Sequence, residues 1–340
     1  METQKRRIKT AIVILNWNGK DWLEKFLPTI IQHSDTAEVI IADNGSTDDS
    51  LLFLHKNFPA IKVINNKENL GFAGGYNNSL DRIHAEYYVL LNSDVEVSAN
   101  WLFPIISLMD KDKDIAACQP KLLDYNNRTK FEYAGASGGF LDNLGYPFCR
   151  GRVFNFLEED VGQYNDTAEV FWATGACLFV RADIFWEVGG FDSDFFAHQE
   201  EIDLCWRLRN KGYKVMVEPK SEVYHVGGGT LNASSSFKTY LNFRNNLYML
   251  LKNLPLPSLF FVVLFRLFLD LVAAITFLKQ KDGFSHFFAI IKAHFYFYYA
   301  IPKLIFKRQK IKQKNKLVGR VNWSILFKNK IKGIKRFSDL

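Results

Sequence analysis

Several polar clusters, far apart in a 340-residue chain, have the residue types and spacing to handle a charged ligand. Asn16-Trp17-Asn18-Gly19, Asp43-Asn44-Gly45-Ser46-Thr47-Asp48 and Asn92-Ser93-Asp94 each follow a short apolar run. Asp43 offers a carboxylate to the hydrogen-bond donors of a base or ribose. Asp94 offers hard oxygen to a divalent cation, which needs few protein ligands when phosphate oxygens supply the rest. Glu96 lies two residues on and would share its face if the strand continued. The same residue types also make turns and caps, so each cluster alone stays open. Glu200 and Glu201 open a segment carrying Leu204, Trp206 and Leu208. A carboxylate there could take the proton of an alcohol, a poor nucleophile until deprotonated, although acids at a helix start are also favoured by the helix dipole. Asp203 and Arg207 are spaced for an i,i+4 pair. His225 precedes Gly227-Gly228-Gly229-Thr230 and suits either a metal or phosphate contact or a structural hydrogen bond. Gly71-Phe72-Ala73-Gly74-Gly75 opens a helix and would let backbone N–H groups approach a ligand. It matches neither G-x-G-x-x-G nor a P-loop, which removes support for a dinucleotide oxidoreductase or a kinase.

The elements that must position these groups alternate. Strands are expected at Ala11–Leu15, Glu38–Ala42, Ile61–Ile64 and Tyr87–Leu91, and helices at Gly19–His33, from a Ser46/Asp49 capping box through Leu54, and at Ala73–His84. Four such units imply an α/β fold with a mostly parallel, twisted sheet flanked by helices, and ligands then collect beyond the carboxyl ends of the strands. Further along, Ile115–Leu123, Phe171–Val180 and Lys214–Val217 read as extended, and Glu201–Lys211 and Phe237–Leu251 as helices. Residues 124–168 read as loops and short hairpins around an acceptor.

Composition narrows the class. The chain is 48% hydrophobic, 23% charged and 15% aromatic, with a net charge of +7. That charge is local: Pro302–Leu340 holds 13 Lys and Arg against one acid, leaving residues 1–301 at −5. A basic tail fits an anionic membrane surface or nucleic acid, and nothing else resembles a nucleic-acid module. Cys118, Cys149, Cys177 and Cys205 form no CxxC pair, so reduced thiols in a cytoplasmic protein are expected.

Taken in order, Ile14–Gly19, Asp43–Asp48, Asn69–Asn77, Leu90–Asp94, and Gly189-Gly190-Phe191 through Glu200-Glu201-Ile202-Asp203-Leu204-Cys205-Trp206-Arg207 resemble the family 2 glycosyltransferases of the GT-A fold, over roughly residues 9–250. The resemblance is strongest to the rhamnosyltransferase-type branch that builds bacterial surface polysaccharides. It implies an inverting, non-processive transfer of a sugar from a nucleotide-diphosphate donor to a glycan or lipid-linked acceptor, with Mg²⁺ or Mn²⁺. By resemblance, Asp43 binds the nucleoside, and Asn16, Asn18, Asn44, Gly71, Gly74, Asn77 and Asn92 line the donor site. Asn92-Ser93-Asp94 stands in for the family's D-x-D, so Asp94 carries most of the metal binding, and His225 matches a metal-ligating histidine. Glu201 stands where the base is found; the pair is Glu-Glu rather than Glu-Asp, which keeps Glu200 as the alternative. A sugar nucleotidyltransferase and a silent nucleotide-sugar-binding protein are the rival functions.

The implied division is a catalytic domain over 1–250 (a nucleotide-binding half 1–100, an acceptor half 101–250), a hydrophobic segment 251–308 and a basic tail 309–340. Residues 254–278 and 284–306 are long enough to span a bilayer. Arg266, Asp270, Lys292 and His294 interrupt them at appreciable cost, so helices lying in the interface at the cytoplasmic membrane face fit better.

Overall fold

A computed structural model describes residues 8–227 and 235–340. The chain runs through β1 (Ile8–Asn16), α1 (Lys20–Gln32), β2 (Glu38–Asp43), α2 (Ser50–Asn57), β3 (Lys62–Asn65), α3 (Gly71–Leu80), β4 (Ala85–Asn92), β5 (Val95–Val97), α4 (Leu102–Lys111) and β6 (Ile115–Asp124). Short strands follow: β7 (Gly139–Leu141), β8 (Pro147–Cys149), β9 (Arg152–Val153), β10 (Phe156–Leu157) and β11 (Ala168–Glu169). Then come β12 (Cys177–Arg181), α5 (Ala182–Glu187), α6 (Glu200–Lys211), β13 (Lys214–His225), α7 (Ser236–Asn253), α8 (Leu256–Phe277), α9 (Gly283–Gln309) and α10 (Ile325–Lys332).

The main sheet has the order β3-β2-β1-β4-β12-β6-β13-β11, with β5 also pairing with β13. β3, β2, β1 and β4 are parallel; β12 inserts antiparallel between β4 and β6, and β13 lies parallel to β6. Both faces are covered because β1 is apolar on both: Ala11 and Val13 join one core, Ile12 and Ile14 the other. That is what an uninterrupted β-branched run predicts for a central parallel strand. β7–β10 form a separate four-stranded antiparallel sheet within the stretch expected to hold hairpins.

Three boundaries differ from expectation for local reasons. α2 starts at Ser50 rather than from a Ser46 cap, because Ser46 Oγ instead accepts from Asn18 N and Asn16 Nδ2. α3 starts at Gly71 and stops at Leu80, so the glycine run is inside the helix. The Phe171–Val180 stretch is buried, but only its end pairs as β12.

α8 buries its charged residues against the body, whereas α9 buries an apolar face that includes Ile290, Ala293, Phe297 and Leu304. In α8, Arg266 and Asp270 face the body and are buried, paired at 3.1 Å, with Arg266 3.9 Å from the Tyr146 ring centroid and Asp270 3.3 Å from His294 of α9. Phe260, Phe261 and Phe268 of α8 and Phe284, Phe288 and Phe295 of α9 are exposed. Among the described residues, α8 alone is long and apolar enough to cross a membrane. The last residues fold back: Leu141 bridges Arg320, Asp142 accepts from Ile325 N, and Phe337 packs on Phe140, Phe148 and Tyr164.

Candidate active site

Parallel register brings the polar strand ends together, setting Asn16 beside Asp43 and Leu15 beside Asn92. Asn16 Nδ2 donates to Asp43 Oδ1 at 3.2 Å, and Ser46 N donates to Asp43 Oδ2 at 3.1 Å. Asn18, in a left-handed conformation, accepts from Thr47 N at 2.7 Å. Asn44 ties in the next loop by donating to Asn69 Oδ1 and Gly71 O and accepting from Leu70 N. The strand-end residues thus build one another's loops. Within this network the buried Asn16 Oδ1 has no partner, so a hydrogen-bond acceptor is left over for a ligand.

The glycine run does something other than expected. Gly71 has φ +71°, and a Cβ there would lie 2.5 Å from the Phe196 carbonyl oxygen and ring; Ala73 N donates to that same carbonyl. The close approach is to the chain's own acidic loop. Asn77 is likewise committed to this loop, donating to Phe191 O and accepting from Phe191 N. Gly74 meets only Leu70.

The antiparallel pairing of β5 with β13 sets His225 opposite Val95, and Val226 N donates to Asp94 O. As a result His225 Nε2 lies 3.2 Å from Asp94 Oδ1. The other ring nitrogen, Nδ1, lies 3.2 Å from Glu132 Oε1. Burial alone would lower the imidazole, but the carboxylates of Glu132 and Asp94 prevail and push it up to about 10. With its proton displaced by the ion, an imidazole nitrogen and a carboxylate oxygen this close would fit the bite of one divalent cation, with ligand distances of about 2.0–2.2 Å. Among the described residues there is no cluster of three or more His, Cys, Asp or Glu that could hold a metal. Glu96 takes no part, since it pairs with Arg128 at 2.8 Å.

The acids of α6 are held by a strained segment. Phe196, His198 and Gln199 all have positive φ, which costs about 1 kcal/mol or more for each non-glycine residue. α7 compensates: Asn245 Nδ2 donates to the carbonyls of Phe195, Ala197 and His198, and Arg244 Nη2 donates to those of Asp194 and Phe195. Asp192 and Asp194 are bound by Lys252, Lys303 and Lys307. Asp203 pairs with Arg207 and Lys252. Glu200 and Glu201 differ from these: among the described residues neither makes an ion pair, and each keeps an unpartnered Oε2. Burial pushes Glu201 up to about 7, and burial plus the neighbouring Glu201 charge raises Glu200 well above its usual value. Both carboxylates are therefore held toward the protonated form, which a group that takes up a proton near neutral pH requires.

The glycosyl transferase family 2 model matches residues 11–189, more than half of the chain. The chain belongs to that family. Its enzyme relatives are similar at modest identity. An N-acetylglucosaminyl-diphospho-decaprenol L-rhamnosyltransferase of Mycobacterium tuberculosis is 24% identical over 63% of this chain and 75% of its own length. Rhamnosyltransferase WbbL of Escherichia coli is 25% identical over 63% and 82%. Agl10, a low-salt glycan biosynthesis hexosyltransferase of Haloferax volcanii, is 22% identical over 69% and 73%. Among solved structures, GalNAc-T7 with UDP, GalNAc and Mn²⁺ superposes with a TM-score of 0.57 at 17% identity, covering 74% of this chain and 49% of that one. Residues 1–349 of TarS from S. aureus superpose with a TM-score of 0.53 at 15% identity, covering 89% and 87%.

This family 2 glycosyltransferase contains site residues that its motifs do not announce. Glu132 reaches His225 because Leu123 bridges Phe131 and Glu132 N donates to Leu122 O, which folds the 124–138 loop back over β6. Asn245 and Arg244 sit in a helix whose periodicity reads only as packing. A groove of about 530 Å³ between Asp81, His84, Tyr88, Asp183 and Trp186 lies near the amino end of β4, away from the strand ends that carry the chemistry.

Proposed function

We propose that the enzyme transfers a sugar, rhamnose being the first candidate, from a nucleotide-diphosphate donor to a hydroxyl of a lipid-linked or polysaccharide acceptor. The observation that carries this reading is the pairing of Asp94 with His225 at the strand ends, together with the buried Glu200 and half-buried Glu201 at the head of α6, each with an unpartnered Oε2. Asp94 and His225 would hold Mg²⁺ or Mn²⁺, which when bound neutralises charge on the diphosphate. Asn16, with its spare acceptor, and Asp43 would hold the nucleoside side, with Asn18, Asn44 and Asn92 framing the loops; Gly71 and Asn77 would support that region through the acidic loop, and Gly74 through its packing on Leu70. Glu201, or Glu200 in its place, takes the acceptor hydroxyl proton as the oxygen attacks the anomeric carbon. The bond to the diphosphate breaks from the opposite face, its electron pair stays on the leaving oxygen, and the anomeric configuration inverts.

The outward phenylalanines of α8 and α9 support a place on the cytoplasmic membrane face. Arg266, Asp270 and His294, which would oppose insertion, are turned inward and paired, while Lys292 is exposed with its ammonium over the Tyr240 ring, so the exposed faces can lie in the interface while the basic carboxyl end meets anionic lipid. Residues 1–250 would then be the catalytic unit, 251–308 the membrane-facing segment and 309–340 the basic end. Purified protein, Mn²⁺ and a panel of nucleotide sugars would test the donor reading. Release of nucleoside diphosphate from one or a few donors is expected, and pyrophosphate release from a nucleoside triphosphate with a sugar phosphate would replace the proposal with a nucleotidyltransferase.

A further inference from the structure

Nine Lys and Arg side chains are buried among the described residues, and seven make an ion pair with a carboxylate. The two that do not are Arg308 and Arg152. Arg308 donates to Leu251 O at the carboxyl end of α7, where a cation is favoured by the helix dipole. Arg152 has no such explanation. It sits on β9, only 6% exposed, in the small sheet of the acceptor half. Nη1 donates to Phe154 O, Nη2 contacts Cys149 Sγ at 3.4 Å, and Nε has no partner. The half-exposed Tyr133 ring covers the guanidinium, with its centroid 4.5 Å away.

Taking an isolated cation out of water costs several kcal/mol unless an anion and its hydrogen bonds replace the hydration. Glu132 is within electrostatic reach of Arg152 but outside ion-pair distance, and its oxygens are engaged by His225 and by Ala134 N. The Cys149 thiol that Arg152 touches also lies within electrostatic reach of Glu201. A guanidinium without an ion-pair partner thus lies within electrostatic reach of Glu132, the neighbour of His225, and touches Cys149, which is within reach of Glu201.

We infer that Arg152 is a binding residue for a phosphate or diphosphate group on the acceptor, separate from the diphosphate of the donor. The inference rests on the transferase reading above and narrows its acceptor to one that carries its own anion. A planar guanidinium with an unpartnered Nε suits phosphate oxygens, and binding would supply the direct ion-pair partner that Glu132, at longer range, does not.

The test uses the full chain with Mn²⁺ and saturating nucleoside diphosphate, so that the donor site is filled. Farnesyl diphosphate in detergent is the anionic probe and farnesol its neutral control, both read by equilibrium binding. The wild type should bind farnesyl diphosphate well above farnesol. Arg152→Gln should weaken farnesyl diphosphate at least tenfold, Arg152→Lys should recover part of the loss, and nucleoside diphosphate affinity should stay constant. Equal binding of farnesyl diphosphate by wild type and Arg152→Gln would overturn the assignment. So would an equal loss of nucleoside diphosphate, which would give Arg152 to the donor. Failure of the transferase reading is seen separately, as no nucleoside diphosphate binding by the wild type.

Discussion

Glu201→Gln isolates the energetic consequence of burying an unpaired base. Glu201 is raised from the ordinary 4.5 to about 7, burial being the first cause. At about 1.36 kcal/mol per tenfold change in proton affinity, ionising it in the folded protein costs about 3 kcal/mol more than in the unfolded chain. The folded state therefore binds more protons between pH 4.5 and 7, and stability must fall across that window. The contribution is fully present below about pH 4.5 and is lost once pH exceeds about 7. Glutamine cannot ionise, so urea denaturation at several pH values should show the variant gaining on wild type as pH rises. The gain should reach about 3 kcal/mol by pH 8, plus whatever is recovered when Glu200, no longer beside the Glu201 charge, ionises at lower cost. In the same protein the acid limb of kcat/KM should lie near pH 7 for wild type, and turnover should collapse in the variant. A stability difference that does not change with pH would show that Glu201 is not an unpaired buried acid, and the base assignment would lose its physical ground.

Three further outcomes follow from the geometry. Asn245→Ala removes the two Nδ2 hydrogens shared among three carbonyls of a strained loop, which at about 1 kcal/mol each should cost about 2 kcal/mol of stability and lower kcat while leaving nucleoside diphosphate affinity near wild type. Glu132→Gln removes the charge behind His225 and should weaken Mn²⁺ binding about tenfold by calorimetry, since such outer partners typically contribute 10–100-fold; unchanged affinity would separate Glu132 from the site. Replacing the exposed Phe260, Phe261 and Phe268 by Ser should reduce cosedimentation with anionic vesicles severalfold without lowering the melting temperature, and unchanged cosedimentation would remove α8 from the membrane-facing surface.

The parallel half of the fold is legible because short β-branched runs ending in Asn, Asp and Gly have few other outcomes than buried strands with polar carboxyl ends. Asn16, Asp43 and Asn92 are placed by that logic alone, and Asp94 follows by one turn. The glycine run shows its limit: sequence reveals that something must approach Gly71, but not that the visitor is Phe196. Ser46 carries a capping signal and answers a different donor. Glu132 and Arg152 lie in a stretch whose contacts depend on which loops cross which strands, so no local spacing marks them. In α8, Arg266 and Asp270 look like penalties along the chain and become satisfied partners once Tyr146 and His294 surround them.

The central claim is that Asp94 and His225 present one divalent cation to a diphosphate. The most direct measurement is Mn²⁺ binding in the presence of nucleoside diphosphate, by electron paramagnetic resonance, for wild type and Asp94→Ala. The account predicts a saturable site in the wild type that weakens at least tenfold in the variant, with turnover falling in parallel. Mn²⁺ affinity and turnover that survive the loss of Asp94 would contradict it.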